Sequence, residues 1–475
     1  MSENVRIAVV GSGYVGLVAA VCFAEMGHDV ICVDNDERKV AALKTGDCLI
    51  HENFLPDLLA KYGNTKVRFT ADLAHATRES EAIFIAVGTP QSEGGNADLS
   101  FVEAVACEIA RSLTCYKVIV EKSTVPVYTN EWVTRSMERN GADRQMFDVV
   151  SNPEFLREGT AVSDFLHPDR IVVGADSDRA AEVLKRIYLP LTSGSYYPKA
   201  DAVAGHRNSA SMPPLVLTST KSAEIIKHAS NAFLAMKISF INAVANLCEA
   251  ADANVEQVAK GMGLDNRIGP KFLRPGVGYG GSCFPKDIAA FRSVAEQLGI
   301  DFSLLAEVEK INTEQKKRFL SKVRSALWTL RGKRIGVLGL AFKGGTDDIR
   351  ESPAIEIIET LLAEGCTIAA YDPAAIKRTQ EVLPVGPNLS FATNPYAAAQ
   401  DADALLILTD WNEFATLDLD RINKTLRYPI IIDGRNLYDP DIMTQHGFTY
   451  ISVGRPAAHP VRASLQGPPT SNTRG

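Results

Sequence analysis

The sequence predicts an α/β protein with two doubly wound parallel sheets, joined by one long central helix. Apolar strand segments alternate with helical segments over the first 200 residues, and the same alternation begins again after residue 330. Between these halves, an uninterrupted helical pattern runs from residue 220 to residue 249. Strands separated by helices are typical of parallel sheets, because each crossover helix covers one face of the sheet. We therefore predict domains at 1–200, 215–320 and 330–455, followed by a disordered tail at 456–475 that is rich in Pro, Ser and Gly.

The composition describes an ordinary globular protein and argues against several classes of function. The chain has 475 residues, of which 46% are hydrophobic and 23% charged, and its formal net charge is -7. An acidic chain is a poor partner for nucleic acids or anionic membranes. No apolar run reaches the ~18 residues that span a bilayer. The 8 cysteines form no Cys-x-x-Cys pair, and the 8 histidines are scattered. We expect a cytoplasmic protein with reduced thiols and no metal site.

A glycine fingerprint lies near the start of the chain. The strand at 5–10 is followed without a gap by Gly11-Ser12-Gly13-Tyr14-Val15-Gly16, then by a buried helix and a second strand that ends on Asp34. This order is typical of a Rossmann-like dinucleotide site, in which the glycines admit the pyrophosphate to the helix N-terminus. Asp34 would accept hydrogen bonds from the adenosine ribose, which favours NAD, although Arg38 and Lys39 leave NADP open. The alternative is a strand–helix turn with no ligand.

Polar residues follow three further strands of the first half. The strand at 81–87 leads into Gly88-Thr89-Pro90, the strand at 117–121 into Lys122-Ser123-Thr124, and the strand at 148–151 into the segment 152–159. Ligands of parallel sheets bind at the carboxyl ends of the strands. We therefore expect these segments to line one cleft, although each of them alone could be an ordinary loop or cap.

One cysteine lies between a glycine-rich loop and a predicted helix. Residues 276–287 are Gly-Val-Gly-Tyr-Gly-Gly-Ser-Cys-Phe-Pro-Lys-Asp, and helical periodicity continues from Ile288. Pro285 and Asp287 are typical of a first helical turn, which places Cys283 at the positive end of the helix. Such a position favours thiolate over thiol. We predict that Cys283 is a nucleophile beside a bound substrate. The alternative is a buried cysteine after a flexible turn.

The long central helix carries Lys227 and Asn231 four residues apart and therefore on one face. A lysine among apolar neighbours is costly to bury unless its charge is used, and the alternative for Lys227 is an exposed surface lysine. The length of the helix suggests a spine between domains and a dimer surface. Before the helix, residues 192–214 lack periodicity and are rich in small and turn-forming residues, which predicts an exposed loop.

The second half repeats the α/β pattern with a degraded glycine fingerprint. Predicted strands at 334–340 and 367–371 lead into a glycine-containing loop and to Asp372, and a later strand leads to Arg435. Lys343 and Arg435 at strand ends would suit phosphates or a carboxylate. The pattern predicts a second Rossmann-like domain with a second nucleotide-like ligand.

These motifs together resemble the UDP-glucose/GDP-mannose dehydrogenase family over residues 5–455. The resemblance is carried by Lys227 with Asn231 and by the segments 11–16, 87–90, 123–126, 152–159, 278–287 and 341–353. Within the family, Tyr279 and Phe284 favour UDP-glucose over GDP-mannose as the substrate. Two departures, Ala243 where relatives often carry Glu and the long 192–214 loop, bear on oligomer contacts and loop dynamics and do not touch the nucleophile.

The resemblance implies a four-electron oxidation of the sugar C6 alcohol to a carboxylate, with two NAD molecules reduced in turn. Cys283 would form a thiohemiacetal and then a thioester, which water hydrolyses. Lys227 and Asn231 would stabilise the developing oxyanion. The family relationship also implies a homodimer, with Arg267 reaching across the interface into the partner's site.

The same resemblance implies which groups move protons and which bind the ligands. Asp287 and Thr124, with a water, would serve the alcohol step, and Glu154 would assist the thioester hydrolysis. For the cofactor, the fingerprint and the resemblance together indicate Gly11, Ser12, Gly13, Tyr14, Val15, Gly16, Asp34, Lys39, Gly88, Thr89, Pro90, Ser123, Thr124, Glu158, Lys286 and Arg350. For the sugar nucleotide, the resemblance indicates Glu154, Phe155, Leu156, Glu158, Lys227, Asn231, Arg267, Phe272, Leu273, Gly276, Gly278, Tyr279, Gly280, Cys283, Lys343 and Arg435.

Three other functions fit part of the pattern. A GDP-mannose dehydrogenase shares the mechanism. A two-electron β-hydroxyacid dehydrogenase shares the first domain and the helical spine but needs no cysteine. A non-catalytic sugar-nucleotide sensor would not require Cys283, Lys227 and Asp287 together.

Overall fold

The computed structural model describes residues 4–90, 97–205 and 212–460. The chain divides into two units. The first contains Met1–Met236, Gly280–Glu309 and Gly345–Asp347, and the second contains Lys237–Tyr279, Lys310–Gly344 and Asp348–Gly475. Each unit is built on its own sheet.

The sheet of the first unit has the strand order β3-β2-β1-β4-β5-β6-β7-β8. Its strands are β1 (Arg6–Val10), β2 (Asp29–Val33), β3 (Val67–Thr70), β4 (Ala82–Ile85), β5 (Lys117–Glu121), β6 (Phe147–Ser151), β7 (Ile171–Gly174) and β8 (Leu215–Thr218). Neighbouring strands are parallel except β6 and β7, which meet antiparallel at Ser151 and Gly174. The first six strands have the doubly wound order that places ligands at the carboxyl ends of β1 and β4.

The first sheet is covered by helices on both faces. They are α1 (Tyr14–Met26), α2 (Glu37–Thr45), α3 (Leu55–Tyr62), α4 (Leu73–Glu79), α5 (Ser100–Ser112), α6 (Thr129–Arg139), a 3₁₀ turn (Arg144–Met146), α7 (Ala161–Leu166) and α8 (Asp178–Thr192). Alternate residues of β1 explain the two layers. Ile7 and Val9 pack in the cluster that contains α1, whereas Ala8 and Val10 pack in the cluster that contains α5. The inner part of β1 is apolar on both faces because both of its faces are buried.

Four helices follow the first sheet: α9 (Thr220–Ala250), α10 (Val255–Gly263), α11 (Phe284–Gln297) and α12 (Ser303–Leu327). Helix α9 is the predicted long helix. By length and composition it could cross a membrane, which the prediction that no apolar run spans a bilayer did not anticipate. However, α9 buries Glu224, Lys227, His228, Asn231 and Asn242. Buried polar groups with protein partners are typical of a core helix in a soluble protein.

The second unit contains a parallel sheet with the order β11-β10-β9-β12-β13-β14. Its strands are β9 (Arg334–Leu338), β10 (Thr367–Tyr371), β11 (Leu389–Phe391), β12 (Ala404–Ile407), β13 (Ile430–Asp433) and β14 (Thr449–Ser452). The helices between them are α13 (Pro353–Ala363), α14 (Ile376–Val382), α15 (Pro395–Ala399), α16 (Asn412–Ala415), α17 (Leu419–Thr425) and α18 (Pro440–Gln445). This order repeats that of β1 to β6, so the predicted class of two doubly wound sheets is confirmed.

The described part of the 192–214 segment is mostly exposed or half-buried, as predicted, but Tyr196, Val203 and Pro213 are buried. Tyr196 is fully buried, and its hydroxyl accepts the N–H of Val203 at 2.9 Å and donates to Glu25 at 3.3 Å. This aromatic side chain anchors the segment to the core around α1. Residues 206–211 of the segment lie outside the described residues.

The predicted tail also lies mostly outside the described residues, which end at 460. Within the part that is described, Ala458 forms an antiparallel bridge with Tyr450. The predicted boundaries of three domains remain a prediction.

Two glycines of the fingerprint offer a matched test of packing in the first unit. A Cβ at Gly16 would lie 1.9 Å from the carbonyl oxygen of Gly11, whereas a Cβ at Gly13 would meet no atom of the described residues within 4 Å. We expect Gly16→Ala to lower the free energy of unfolding by about 1–3 kcal/mol, because helix α1 must move away from the loop. Gly13→Ala should change it by less than about 1 kcal/mol. Urea unfolding of both variants measures the difference, and equal midpoints would contradict the packing argument.

Candidate active site

Cys283 lies at the N-terminus of helix α11, as predicted. It is the N-cap residue, Pro285 follows in the first turn, and the N–H of Asp287 donates to the carbonyl oxygen of Cys283 at 2.9 Å. Proline suits this turn because its nitrogen has no hydrogen to leave unpaired. The Ser282 hydroxyl lies 3.6 Å from Sγ. The half-buried thiol therefore sits where unpaired N–H groups of the helix converge.

The sequence predicts a thiolate at Cys283, but the surroundings of this side chain in the structure favour the protonated thiol. Burial raises its pKa to about 11, and the charges of Glu154 and Asp287 act in the same direction. Lys227 and the Ser282 hydroxyl oppose them. The positive helix end is therefore outweighed by desolvation and by two nearby carboxylates.

Lys227 is buried on α9 and is paired with a carboxylate rather than exposed. Its Nζ donates to Oε1 of Glu154 at 2.7 Å, and it lies 5.6 Å from the ring centroid of Phe155. Burial alone would lower the pKa of Lys227, but Glu154, Asp287 and Cys283 raise it. The cost of burying the lysine is thus offset by a charge partner, which leaves an ammonium group next to the thiol.

Glu154 is kept in its charged form by its ion pair with Lys227. Burial would raise its pKa, but Lys227, the N–H of Leu156 at 2.6 Å and the charge of Lys122 lower it. Phe155 also stacks against Arg170, whose guanidinium lies 3.6 Å from the ring centroid. The loop after β6 therefore places one ionised, buried carboxylate beside Lys227.

Asn231 lies one turn after Lys227 and faces α11. Its Nδ2 donates to Oδ2 of Asp287 at 2.6 Å, and Oδ1 of Asp287 lies 3.9 Å from Nζ of Lys286. Between them on α9, His228 contacts the carbonyl oxygen of Val125 through Nε2 at 2.8 Å. Burial lowers the pKa of His228, which favours the neutral ring. Helix α9 is thereby tied to α11 and to the loop after β5.

The loops after β4 and β5 meet α11. Nζ of Lys286 donates to the Thr89 hydroxyl at 3.0 Å, and that hydroxyl donates to the carbonyl oxygen of Thr124 at 3.0 Å. The Ser123 hydroxyl donates to the carbonyl oxygen of Val87 at 2.9 Å, and Thr124 itself is half-buried. The strand-end segments that the sequence singled out thus lie together, at the carboxyl edge of the first sheet.

Two of the three fingerprint glycines are needed for close packing, and the third leaves space for a ligand. Gly11 has φ +102°, and its Cβ would lie 2.5 Å from the carbonyl oxygen of Ala86. Gly16 is equally closed against Gly11, whereas Gly13 is open. Only a residue without a side chain lets a pyrophosphate approach the backbone at the start of α1, so the loop fits the dinucleotide that the sequence predicted.

Asp34 ends β2 beside this loop. Its Oδ2 accepts the Ser12 N–H at 2.8 Å and the Ser12 hydroxyl at 2.6 Å, and its Oδ1 accepts the Asp36 N–H at 3.0 Å. Burial would raise the pKa of Asp34, but these donors and Lys39, 4.0 Å away, lower it. An ionised carboxylate has about four acceptor positions, so capacity remains for a ribose hydroxyl.

Glu158 connects the loop after β6 to the cysteine loop. Its Oε1 accepts the Ser282 hydroxyl at 3.3 Å, and its Oε2 accepts the Thr346 hydroxyl at 3.2 Å. Ser282 precedes Cys283 directly, so Glu158 bears on the position of the thiol.

In the second unit, Arg435 holds three loops together. It donates to the carbonyl oxygens of Leu408 at 2.8 Å, Phe342 at 2.9 Å and Gly278 at 3.4 Å. The carboxylate of Asp410 is close by, accepts the Gly344 N–H at 3.0 Å and lies 3.8 Å from Arg274. Burial lowers the pKa of Arg435, while Asp410 raises it.

The glycine loop before the cysteine is shaped inside the second unit. The N–H of Gly276 donates to Asn242 at 2.9 Å. Asn312 accepts the Tyr279 N–H at 2.8 Å and donates to the Tyr279 carbonyl at 3.0 Å. At Gly278, φ is +109° and a Cβ would lie 2.7 Å from Oδ1 of Asn312, so a side chain there is excluded.

Several of the predicted binding residues have contacts other than those described around Cys283, Asp34 and Arg435. Arg267 is exposed and pairs with Asp265 at 2.6 Å, and Arg350 pairs with Asp348 at 2.6 Å. Leu273 packs in a core cluster with residues of α9 and α10. Lys343 lies 5.6 Å from the Phe342 ring centroid, and Phe272 has φ 63°.

His228 and Asn312 are not among the residues predicted from the sequence, and Lys122 is predicted only as part of the cleft segment after β5. Lys122 is buried, its Nζ donates to the backbone and side-chain oxygens of Asn152 at 3.2 Å each, and burial lowers its pKa to about 8. The signal for Lys122 is its place directly after β5, whose central residues Val118, Ile119 and Val120 are apolar. His228 and Asn312 carry no such signal, because their partners are distant in sequence.

Comparison with known proteins places this geometry in a family. Three domains of the UDP-glucose/GDP-mannose dehydrogenase family match this chain. The NAD binding domain matches residues 5–192, the central domain matches 221–314 and the UDP binding domain matches 336–440. The chain is 46% identical to a UDP-glucose 6-dehydrogenase of Rhizobium meliloti over 95% of this chain and 100% of that protein. It is 45% identical to UDP-glucose 6-dehydrogenase TuaD of Bacillus subtilis, over 95% and 94%.

A solved structure agrees with this relationship. The UDP-glucose dehydrogenase of the archaeon Pyrobaculum islandicum has a TM-score of 0.84 and 35% identity, and the match covers 96% of this chain and 98% of that one. The chain therefore belongs to the UDP-glucose/GDP-mannose dehydrogenase family.

Proposed function

We propose that the chain catalyses the NAD-dependent four-electron oxidation of UDP-glucose at C6 to UDP-glucuronate. The observation that carries the proposal is the cluster of Cys283, Lys227, Glu154 and Asp287 in the unit that also holds the open glycine loop. The relatives named as UDP-glucose 6-dehydrogenases support UDP-glucose as the substrate. Tyr279 and Phe284, on either side of Cys283 in the sequence, are the residues that favour it over GDP-mannose.

The first oxidation converts the C6 alcohol to an aldehyde. The hydroxyl proton passes through a water to Asp287, with Thr124 holding the water. When bound, NAD supplies the acceptor for the hydride that leaves C6 in each oxidation. Asn231 fixes the carboxylate of Asp287 through its 2.6 Å hydrogen bond, so the base is oriented before the substrate arrives.

The second oxidation uses the cysteine. Sγ of Cys283 adds to the aldehyde carbon while the thiol proton passes to the aldehyde oxygen, and the resulting thiohemiacetal oxygen is held by Lys227 and Asn231. Loss of the second hydride from C6, with the hydroxyl proton passing to water, leaves a thioester. Water, activated by Glu154, attacks the thioester carbon, breaks the C–S bond and releases the carboxylate and the thiol. In this proposal, NAD and UDP-glucose are bound by the residues that the sequence analysis gives for each of them. The second unit binds the UDP moiety.

Replacing the nucleophile should separate the two oxidations. We expect the unaltered enzyme to form two NADH per UDP-glucose, whereas Cys283→Ser stops at the aldehyde level or at a covalent adduct and forms one or fewer. Uronate formation should fall by about 10³-fold or more. NADH absorbance and mass analysis of the sugar nucleotide measure both quantities.

Cys115→Ser, which alters an exposed cysteine, is the control and should keep two NADH per substrate. Normal uronate yields from Cys283→Ser would remove the cysteine from the mechanism. Offering GDP-mannose in parallel tests the alternative substrate, and one NADH from the unaltered enzyme would favour a two-electron dehydrogenase.

Glu154→Gln should move thiol reactivity and turnover in opposite directions. Removing its charge lowers the pKa of Cys283, because Glu154 is the largest charge that raises it. At pH 8 we expect alkylation of Cys283 by iodoacetamide to become about threefold to tenfold faster, since a shift of one pKa unit is tenfold in thiolate. Uronate formation should nevertheless fall, because the thioester loses its general base.

Mass analysis of the alkylated peptide and of trapped thioester provides the measurement. Glu131→Gln, which alters an exposed carboxylate on α6, is the matched control. Unchanged alkylation in Glu154→Gln would contradict the electrostatic role of this carboxylate.

A homodimer is the second part of the proposal. Helix α9 exposes Ile225, Phe233, Phe240 and Leu247, which are spaced by seven or eight residues and hence share one face. Large apolar side chains that repeat along one exposed face are typical of an association surface. We also propose a cytoplasmic location, because the 8 cysteines are all free thiols, which is usual in a reducing compartment.

Phe240→Asp should shift the protein from dimer to monomer, because a carboxylate would be desolvated in the interface. Light scattering after size exclusion at micromolar concentration gives the mass. Phe101→Asp introduces the same charge at another exposed phenylalanine and should leave the mass unchanged. A dimer in both variants would exclude this face of α9 as the contact.

A further inference from the structure

Glu52 is a buried acid in the first unit that the proposed chemistry does not use. In the described part of the chain, no lysine or arginine pairs with it, and its partners are Tyr14 and the backbone of the Glu158 loop. Burial raises the pKa of Glu52 to about 7, while the N–H groups of Gly159, Val162 and Ala161 favour the charged form. A buried carboxylate whose partners are only neutral donors is costly, so its presence calls for a role.

The contacts of Glu52 converge on one peptide group. The N–H of Gly159 is shared between Oε2 of Glu52 at 2.7 Å and the Tyr14 hydroxyl at 2.6 Å, and that hydroxyl also donates to Glu52. The carbonyl of Gly159 accepts Nδ2 of Asn53 at 2.8 Å. A Cβ at Gly159 would lie 2.3 Å from the carbonyl oxygen of Gly345, so this peptide is also closed from the other side.

The hydrogen bonds around Gly159 connect the glycine fingerprint to the loop that carries Cys283. Tyr14 is the first residue of α1 and belongs to the glycine fingerprint. Glu158, next to Gly159, accepts the Ser282 hydroxyl at 3.3 Å, and Ser282 lies 3.6 Å from the thiol of Cys283. A displacement of Tyr14 can therefore reach the nucleophile through Glu52, Gly159 and Glu158, all by direct contacts.

We propose that Glu52 is a positioning residue that couples occupancy of the dinucleotide loop to the position of Cys283. The inference rests on the proposed function, because it assumes that NAD binds at the fingerprint. Glu52 itself touches neither NAD nor substrate. Its effect is to make the Glu158 loop follow Tyr14, so that loading the cofactor changes the surroundings of the thiol.

The test compares the reactivity of Cys283 with and without NAD in the full-length protein. The rate of alkylation by iodoacetamide is followed on the Cys283 peptide by mass spectrometry, and the Kd for NAD is measured by titration calorimetry. We expect saturating NAD to change the rate by about fivefold or more in the unaltered protein, as for an ordinary coupling between sites. In Glu52→Ala this ratio should fall to near one.

Further variants separate coupling from loss of structure. Glu52→Gln keeps the shape and an acceptor for Gly159 and should retain part of the ratio. Tyr14→Phe should lose as much of the ratio as the double variant Tyr14→Phe/Glu52→Ala does. Asp57→Asn removes an exposed acid from the neighbouring helix and should keep the full ratio. Should Glu52→Ala fail to fold, the Tyr14→Phe and Glu52→Gln pair decides the question.

The outcomes distinguish the two proposals. A ratio near one in the unaltered protein, or an unaltered ratio in Glu52→Ala and Tyr14→Phe, overturns the coupling. If the unaltered protein binds NAD and oxidises UDP-glucose in either case, the proposed function stands without it. Failure of the unaltered protein to bind NAD removes both.

Discussion

The buried ion pair between Lys227 and Glu154 is the interaction on which the arrangement around Cys283 depends. Its 2.7 Å contact joins helix α9 to the loop after β6 and keeps both groups charged where water is excluded. Removing one partner of such a pair costs about 3–5 kcal/mol, because the other charge is left buried and alone. The same two charges act on the thiol in opposite directions, so the pair fixes both structure and reactivity.

The second sheet repeats the order of the first six strands of the first sheet, but the acids at corresponding strand ends have different partners. After β2, Asp34 holds the Ser12 N–H and hydroxyl and retains acceptor capacity beside an open Gly13. After β10, Asp372 accepts the N–H groups of Leu340 and Ala341 and the indole N–H of Trp411. An aromatic side chain and the protein's own backbone thus use the acid of the second fingerprint. Fold alone does not assign a ligand, because the residues at the strand ends decide it.

Much of the fold was predictable, because long buried strands and helices have strong patterns. Lys117–Glu121 and Thr367–Tyr371 were placed at their observed bounds, and the long helix ends one residue from its predicted end. The short strands Ile171–Gly174 and Leu215–Thr218 were missed, since a four-residue strand is recognised only where apolar neighbours extend it, as they do for Ala82–Ile85 within the predicted strand 81–87. Tyr196 was placed in an exposed loop, because a single aromatic residue among Ser, Gly and Pro does not indicate burial.

By itself, the sequence determined the local chemistry: a glycine loop that can only be a tight turn, a helix that begins at Cys283, and a lysine and an asparagine on one helical face. Only the tertiary structure decided what surrounds these groups. It pairs Lys227 with Glu154, brings Lys286 to Thr89, and raises the pKa of Cys283 instead of lowering it. The physical reason is that desolvation and charge depend on neighbours distant in sequence, whereas turns and helix ends depend on neighbours along the chain.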